Sequence, residues 1–233
     1  MNGLQDKAIV VTGAGGAMAG HVEDAFEREG ARLILVDRDE VRIASRARSF
    51  GTRPIVEDLL TRESAERAAR AALDHMGRVD GLIHLVGDLI PGRLETTTDE
   101  AYRHVFESNV RTLFLTTRAF LPALKARQES FIASLGAPPA FHDPLSEQGV
   151  FSAAKGAATA LLRALDAELA GTGVTVSIVT PHGPVDTPTG RHLMPDPGPG
   201  GWIDPARIAR AFVHAASGDA GGRQVEIPIH PGR

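Results

Sequence analysis

The segment Val150-Phe151-Ser152-Ala153-Ala154-Lys155 sets an aromatic ring and an ammonium four residues apart. On a helix that spacing brings both onto one face. A tyrosine at the first position could give and take a proton while the lysine lowered its pKa. Phe151 has no hydroxyl, so any proton moved at this place must come from another group. A second chemical pattern lies near the start, in Thr12-Gly13-Ala14-Gly15-Gly16. Gly13, Gly15 and Gly16 allow a tight turn and a close backbone approach to a pyrophosphate, and a helix N-terminus just beyond favours the anion. Asp37 stands 24 residues after Gly13, near the roughly 20 at which an acid meets the ribose hydroxyls of a dinucleotide. A carboxylate there repels a 2′-phosphate, so NAD is expected before NADP. Arg38, next to it, pulls the other way, since it could swing to meet that phosphate.

These residues need elements to hold them. Ala8-Ile9-Val10-Val11 is a short β-branched run cut off by the glycines, which reads as a buried parallel strand. Residues 17–29 change to helical period, and Gly30 is a natural stop. Arg32-Leu33-Ile34-Leu35-Val36-Asp37 is a second strand, completing one βαβ unit over about 30 residues. The alternation continues with helices at 41–50 and 61–76, the latter capped by Thr61 and closed by Gly77. Strands are expected at 53–56 and 79–86, then a long helical stretch over 98–127 that Pro122 bends or restarts. A fifth strand at 130–134 leads into a Gly/Pro-rich loop, 136–149. The helix at 151–170 and a strand at 174–179 follow. Residues 181–201 hold six prolines and five glycines, a density that predicts an irregular flap, and a substrate loop is placed at 181–203. Asp204-Pro205 starts a last helix to 217, and 224–229 is a seventh strand. Seven strands alternating with helices give an α/β fold: a doubly wound, parallel, seven-stranded, Rossmann-like sheet with helices on both faces. Ligands in such sheets bind beyond the carboxyl ends of the strands.

At 233 residues, with no composition shift or repeat, the chain suits one domain, 1–233. A net charge of −4 without a basic run leaves no footprint for nucleic acid or an anionic membrane. With no cysteine there are no disulfides, thiolate nucleophiles or cysteine zinc sites. The nine histidines show no paired spacing, so no metal site is expected. No apolar run reaches the roughly 18–20 residues of a membrane span. Residues 1–7 lack the layout of a signal peptide, so a cytoplasmic location is expected.

From Lys7 to about Ile229 the chain resembles the short-chain dehydrogenase/reductase family, of the compact single-domain kind. That family opens with Thr-Gly-x-x-x-Gly-x-Gly, and Thr12-Gly13-Ala14-Gly15-Gly16-Ala17-Met18-Ala19 fits it with Ala17 and Ala19 replacing two glycines. Ala17 would bring a methyl close to the diphosphate. Asp58-Leu59 corresponds to the family's Asp-Val pair that meets the adenine, and His84-Leu85-Val86-Gly87 stands where the family has Asn-Asn-Ala-Gly. Pro181-His182-Gly183-Pro184-Val185-Asp186-Thr187 resembles Pro-Gly-x-Val-x-Thr with one residue inserted. By resemblance Thr187 would contact the nicotinamide carboxamide or the phosphates. The implied cofactor set is then Gly13, Gly15, Gly16, Ala17, Met18, Asp37, Arg38, Asp58, Leu59, Val86, Gly87, Lys155, Pro181 and Thr187.

In the family a serine polarises the carbonyl, a tyrosine protonates the alkoxide, and a lysine holds the ribose and lowers the tyrosine pKa. A helix asparagine helps hold a relay water. The resemblance gives these places to Ser134, Phe151 (where the tyrosine usually stands), Lys155 and Asn109. Ser134 lies 17 residues before Phe151, so the loop carries an insertion, and Pro138 at the usual spacing cannot substitute. Other proton sources would be Ser152, His142, Ser146 or His182, each read first as a solvated loop residue. His84 reads as a core-edge residue holding a backbone group, and Tyr102 as an aromatic packed on the long helix. The charged run from Arg62 to Arg70 is a solvated helix face. The Ala-rich helix at 153–170 and the helix near Asn109 pair subunits in the family, which implies a homodimer or homotetramer.

Two functions from different classes follow, with a third on the same scaffold. The first is an NAD(P)-dependent oxidoreductase acting on a small alcohol or carbonyl. The second is a catalytically silent relative that binds NAD(H) or serves as an oligomeric partner. A non-redox lyase or isomerase would need only Lys155 and a loop acid or base. The oxidoreductase leads because Lys155, Asn109 and Asp37 are all retained.

Overall fold

A computed structural model describes residues 3–138, 146–198, 200–217 and 225–232. Seven strands form one parallel sheet: β1 (Ala8–Thr12), β2 (Arg32–Asp37), β3 (Ile55–Val56), β4 (Gly81–His84), β5 (Ser130–Leu135), β6 (Val174–Pro181) and β7 (Glu226–Ile229). Their spatial order is β3-β2-β1-β4-β5-β6-β7. The sequence jumps from β1 to β2 on one side and to β4 on the other, so the strand order reverses at β1. The expected doubly wound sheet is what forms. At such a reversal the loops leave in opposite directions and open a crevice above the strand ends.

Among the described residues the sheet is accompanied by eight α-helices: α1 (Ala19–Arg28), α2 (Glu40–Ser49), α3 (Arg62–Met76), α4 (Asp99–Phe106), α5 (Thr112–Lys125), α6 (Gly149–Glu168), α7 (Pro188–Leu193) and α8 (Pro205–Ser217). The alternating side chains of each strand feed two separate cores. Ile9, Val11, Leu33, Leu35 and Ala133 pack with Val22 and Phe26 of α1, Ile43 of α2 and Phe212 of α8. Val10, Ile34, Leu82, Ile132 and Val176 pack with Ala68 of α3, Phe120 of α5 and Leu162 of α6 on the other face. A strand buried on both sides has no use for polar residues, which is why these runs are continuously apolar. Among the described residues no helix is long and apolar enough to cross a membrane.

Several expectations need correcting. The flap predicted to be irregular holds a helix, α7, and β6 runs on to Pro181. Pro188 begins that helix, where a missing N–H costs nothing, and Thr187 caps it by accepting from the Gly190 N–H at 3.0 Å. Asp186 clasps Arg191 (2.6 and 3.0 Å), whose guanidinium lies over the Trp202 ring at 5.4 Å. Pro122 does not restart the 98–127 stretch; it sits within α5, in its last turn. What interrupts that stretch is a π turn, Glu107–Arg111. The strands predicted over 53–56 and 79–86 shorten to β3 and β4, and the chain just past β4 stays beside β1 through the bond from Leu85 N–H to Thr12 O (2.9 Å).

The caps read from sequence are present. Thr61 Oγ1 accepts from the Ser64 N–H at 3.1 Å, and Gly77 ends α3 at φ +72°. Arg46 of α2 reaches across to Glu23, to Asp24 (2.6 Å) and to the Gly20 carbonyl (3.3 Å) of α1. This clamp fixes the two helices that flank the glycine turn.

Candidate active site

The turn after β1 is held by contacts that only glycine allows. Gly13 has φ +72°, and a Cβ there would stand 2.7 Å from the Val86 nitrogen. Backbone therefore packs on backbone where β1 and β4 both end. A Cβ on Gly15 would lie 3.2 Å from the Asp37 carboxyl carbon. In its absence the Gly15 N–H donates to Asp37 Oδ2 at 2.9 Å, while Asp37 Oδ1 accepts from the Asp39 N–H at 3.0 Å. The carboxylate at the end of β2 is thereby aimed at the glycine turn. Met18 precedes α1 without capping its first N–H groups by a side chain, and no acid occupies the first turn. Those donors and the helix dipole suit an anion.

A cavity of about 310 Å³ opens over this turn. Gly13, Gly15, Gly16, Asp37, Arg38, Asp58, Leu59, Val86 and Gly87 line it, nine of the residues expected to hold a cofactor. Ala17, Met18, Lys155, Pro181 and Thr187 do not line it. Ala17 is exposed on the rim, and Met18 is buried under the turn. Pro181 pairs with Ile229 at the end of β6, and Thr187 is occupied as a helix cap. Residues the sequence reading passed over complete the wall, among them Arg42, Leu85, Asp88 and His104. Arg42 was findable: it lies in the first turn of α2, which Asp39 caps through the Val41 N–H (3.1 Å), directly after the strand that ends in Asp37. A glycine cradle, an aimed carboxylate and an open helix end together fit an adenine dinucleotide.

Gly87 joins the cavity to the second cluster. A Cβ there would come within 2.5 Å of Asn109 Oδ1 and 3.4 Å of Lys155 Nζ. Asn109 lies in the π turn, where the extra residue in the coil turns its side chain towards the exit of β4. Its Nδ2 donates to Asp88 O (2.8 Å) and Val105 O (2.9 Å). Its Oδ1 is buried and has no partner among the described residues. Lys155 Nζ donates to Leu135 O at 3.0 Å and lies 5.8 Å from the centre of the Phe151 ring. Burial without a carboxylate partner draws its pKa down from 10.5 to about 8. Phe151, Lys155 and Asn109 are thus brought together.

Ser134 is not aimed into that space. It is 5% exposed, in register with His84 on β4, and its hydroxyl donates to the His84 carbonyl at 3.1 Å. A substrate oxygen would have to compete with that carbonyl for the proton. His84 itself shares hydrogen bonds with two hydroxyls, Thr12 Oγ1 at 2.9 Å and Thr112 Oγ1 at 3.4 Å, and not with the backbone group expected of it. Burial, with the charge of Lys155 second, lowers its pKa to about 3, so it is neutral. Tyr102 is half-exposed and packs against Phe106, with the tilted rings 4.7 Å apart between centres. His142 lies outside the described residues.

The short chain dehydrogenase family pattern matches residues 7–198. The chain belongs to this family. Among relatives, 1-deoxy-11-beta-hydroxypentalenate dehydrogenase of Streptomyces exfoliatus is 34% identical over 85% of this chain and 74% of its own. An uncharacterised oxidoreductase of Staphylococcus saprophyticus is 26% identical over 98% of both chains. Among solved structures, the 3-ketoacyl-(acyl-carrier-protein) reductase of Brucella melitensis, complexed with NADH, is 26% identical with a TM-score of 0.87 over 99% of both chains. A metagenomic short-chain oxidoreductase in complex with NADP shares the fold at a TM-score of 0.84 and 22% identity, over 99% of both chains.

Within this short-chain dehydrogenase, Ser134→Ala is expected to act on stability more than on any turnover. Losing one buried hydrogen bond, from the Ser134 hydroxyl to the His84 carbonyl, costs about 1 kcal/mol. Turnover should stay within roughly threefold, since a group not facing the substrate cannot supply the larger effect of a positioned one. Urea unfolding beside steady-state rates separates the two, and a turnover loss of a hundredfold without unfolding would return Ser134 to the site.

Proposed function

We propose that this short-chain dehydrogenase binds a nicotinamide dinucleotide, NAD(H) before NADP(H), and is an oxidoreductase for a small alcohol or carbonyl, with Phe151 standing where the family's tyrosine acts. The observation that carries the reading is Gly87, which at once lines the cavity over the glycine turn and abuts both Asn109 Oδ1 and Lys155 Nζ. When bound, the nicotinamide would supply or accept a hydride. The chain's own residues do the rest. The glycine turn and the α1 N-terminus receive the diphosphate, and Asp37 the adenosine ribose. Leu59 and Leu85 offer apolar surface to the adenine. Lys155 holds the nicotinamide ribose, and Asn109 Oδ1 accepts from a water within reach of Lys155 Nζ, which satisfies an otherwise orphaned oxygen.

Asp37 decides between the cofactors in this reading. Both its oxygens are held by backbone N–H groups, so the carboxylate cannot rotate away from a 2′-phosphate. Arg38 and Arg42 line the same cavity, but Arg42 already pairs with Asp39 at 3.0 Å. Calorimetry should find NADH bound roughly tenfold more tightly than NADPH, about 1.4 kcal/mol. Asp37→Ala should bring the two within about threefold by removing the repulsion. Equal affinities in the unaltered chain would refute the role given to Asp37.

A second reading, a silent dinucleotide-binding relative, draws on the inward hydroxyl of Ser134 and the missing phenol at position 151. Saturable NADH binding with no turnover over a broad carbonyl panel would favour it. Pairing into a homodimer or homotetramer belongs to either reading, and Phe114 of α5, 45% exposed with Arg118 over its ring, offers apolar surface for it.

A further inference from the structure

We propose that Lys155 Nζ is itself the acid of the reaction, delivering to the substrate oxygen the proton that a tyrosine would otherwise give. The proposal rests on the redox reading above and deepens it at the same site. Its basis is position. Nζ sits between the end of β5, where it donates to Leu135 O (3.0 Å), and the Phe151 ring, whose centre is 5.8 Å away. It also borders Gly87, which lines the cavity, so the ammonium stands just behind the cavity wall, between the strand end and the aromatic face.

Among the described residues the competing donors are each placed elsewhere. The Ser134 proton is held by His84 O, and the His84 ring is enclosed between Thr12 and Thr112. Tyr102 packs against Phe106 in a half-exposed position. Ser152 is one residue beyond Phe151, roughly 100° around the helix from it. Ser146 is exposed, and the His182 ring packs on that of His230 with 4.7 Å between centres.

The chemistry balances. A reduced nicotinamide dinucleotide, when bound, would supply the hydride for the new C–H bond at the carbonyl carbon and would itself be left oxidised, while the π pair of the C=O moves onto oxygen. That oxygen takes a proton from Nζ, leaving a neutral amine. Water then returns a proton to the amine. A lysine near its ordinary pKa would release the proton reluctantly; burial brings this one to about 8, close to the pH at which an acid must both hold and give its proton. The titratable groups around it are few. His84 faces it from β4 and stays neutral. Beyond Asn109, Asp88 pairs with His104 of α4 at 2.8 Å. β5 presents a backbone carbonyl, and α6 presents Phe151.

Lys155→Arg is the test, because arginine keeps the charge and the donors and does not deprotonate. The expected result, at NADH concentrations that calorimetry shows to be saturating for each protein, is ketone turnover lower by roughly 10²-fold or more. In the unaltered chain the reduction rate should fall tenfold per pH unit above about 8, as the ammonium is lost. A titration of ¹³C-labelled lysine by NMR gives a readout free of turnover and of the variant's folding: one lysine should titrate near 8 and vanish in Lys155→Arg. Turnover by Lys155→Arg at the unaltered rate, or Lys155 titrating near the ordinary ~10.4, overturns the proposal and leaves the redox reading standing. NADH binding with no ketone reduction by the unaltered chain removes the redox reading, and this proposal with it.

Discussion

Phe151→Tyr is expected to raise ketone reduction by about 10²-fold, the lower end of what a positioned general acid contributes. The new hydroxyl would enter the first turn of α6 on the ring that already lies 5.8 Å from Lys155 Nζ. Residue 151 is only partly buried, so one added oxygen need not displace packed core. A phenol beside that ammonium has its charged form favoured and its pKa drawn down towards the working range. The gain sits at the lower end because Lys155 already supplies a proton and because the Ser134 hydroxyl still points to the His84 carbonyl. The pH profile should change with the rate: the loss above about pH 8 should move as the phenol takes over the titration. The measurement is kcat with NADH over a panel of small ketones. An unchanged kcat on every ketone counts against hydride transfer at this place and favours the silent reading.

The two sets of residues in that experiment differ in how they could be read from the chain. The glycine turn and Asp37 are local patterns. A strand, three glycines, a helix and an acid closing the next strand follow one another within a single βαβ unit, and the structure brings Asp37 Oδ2 to the Gly15 N–H as that order implies. The Lys155–Asn109 pairing joins α6 to a π turn, and became legible only through a resemblance that fixed both positions together. Ser134 shows where such transfer stops. Its place at the end of a strand was right, but its hydroxyl is bonded to the neighbouring strand's carbonyl, which no spacing reveals. Proline density misled at α7 for a related reason. Composition counts prolines, whereas Pro188 matters by its position at the first residue of a helix that Thr187 caps. His84 looked like a departure from a motif, and the structure gives it hydroxyl partners on β1 and α5, neither adjacent in sequence.

No local pattern announced Asp80, and its removal should cost the fold most. It stands just before β4, at the end of the sheet opposite the cavity, and is 2% exposed. One carboxylate oxygen accepts from the Ala8 N–H and from Arg78 Nε, both at 2.9 Å; the other accepts from Arg127 Nε at 2.8 Å. Its backbone donates to Ala8 O and accepts from the Phe131 N–H, so β1, β4, β5 and the segment after α5 meet on one residue. Burial alone would raise its pKa; the Ala8 N–H and the two arginines outweigh that and hold it below 3.8. Asp80→Ala leaves a buried N–H without an acceptor and two guanidiniums without their counter-ion. Breaking a buried pair costs about 3–5 kcal/mol. The arginines are 39% and 36% exposed and can turn to water, so about 3 kcal/mol is expected here. At roughly 2–4 °C per kcal/mol for a chain of this size, the melting temperature should drop by about 6–12 °C. A carboxylate whose pKa is depressed on folding stabilises above its ordinary pKa and loses that contribution as pH falls through the folded value. The difference between the unaltered chain and Asp80→Asn should therefore be full at neutral pH and shrink below about pH 3.8. NADH affinity of either variant, measured well below its melting temperature, should stay within about threefold, because the glycine turn lies at the far ends of the same strands. Loss of NADH binding by a folded Asp80→Asn would show that the two ends of the sheet are coupled, and would mean that the turn at Gly13 depends on the register Asp80 sets at Ala8.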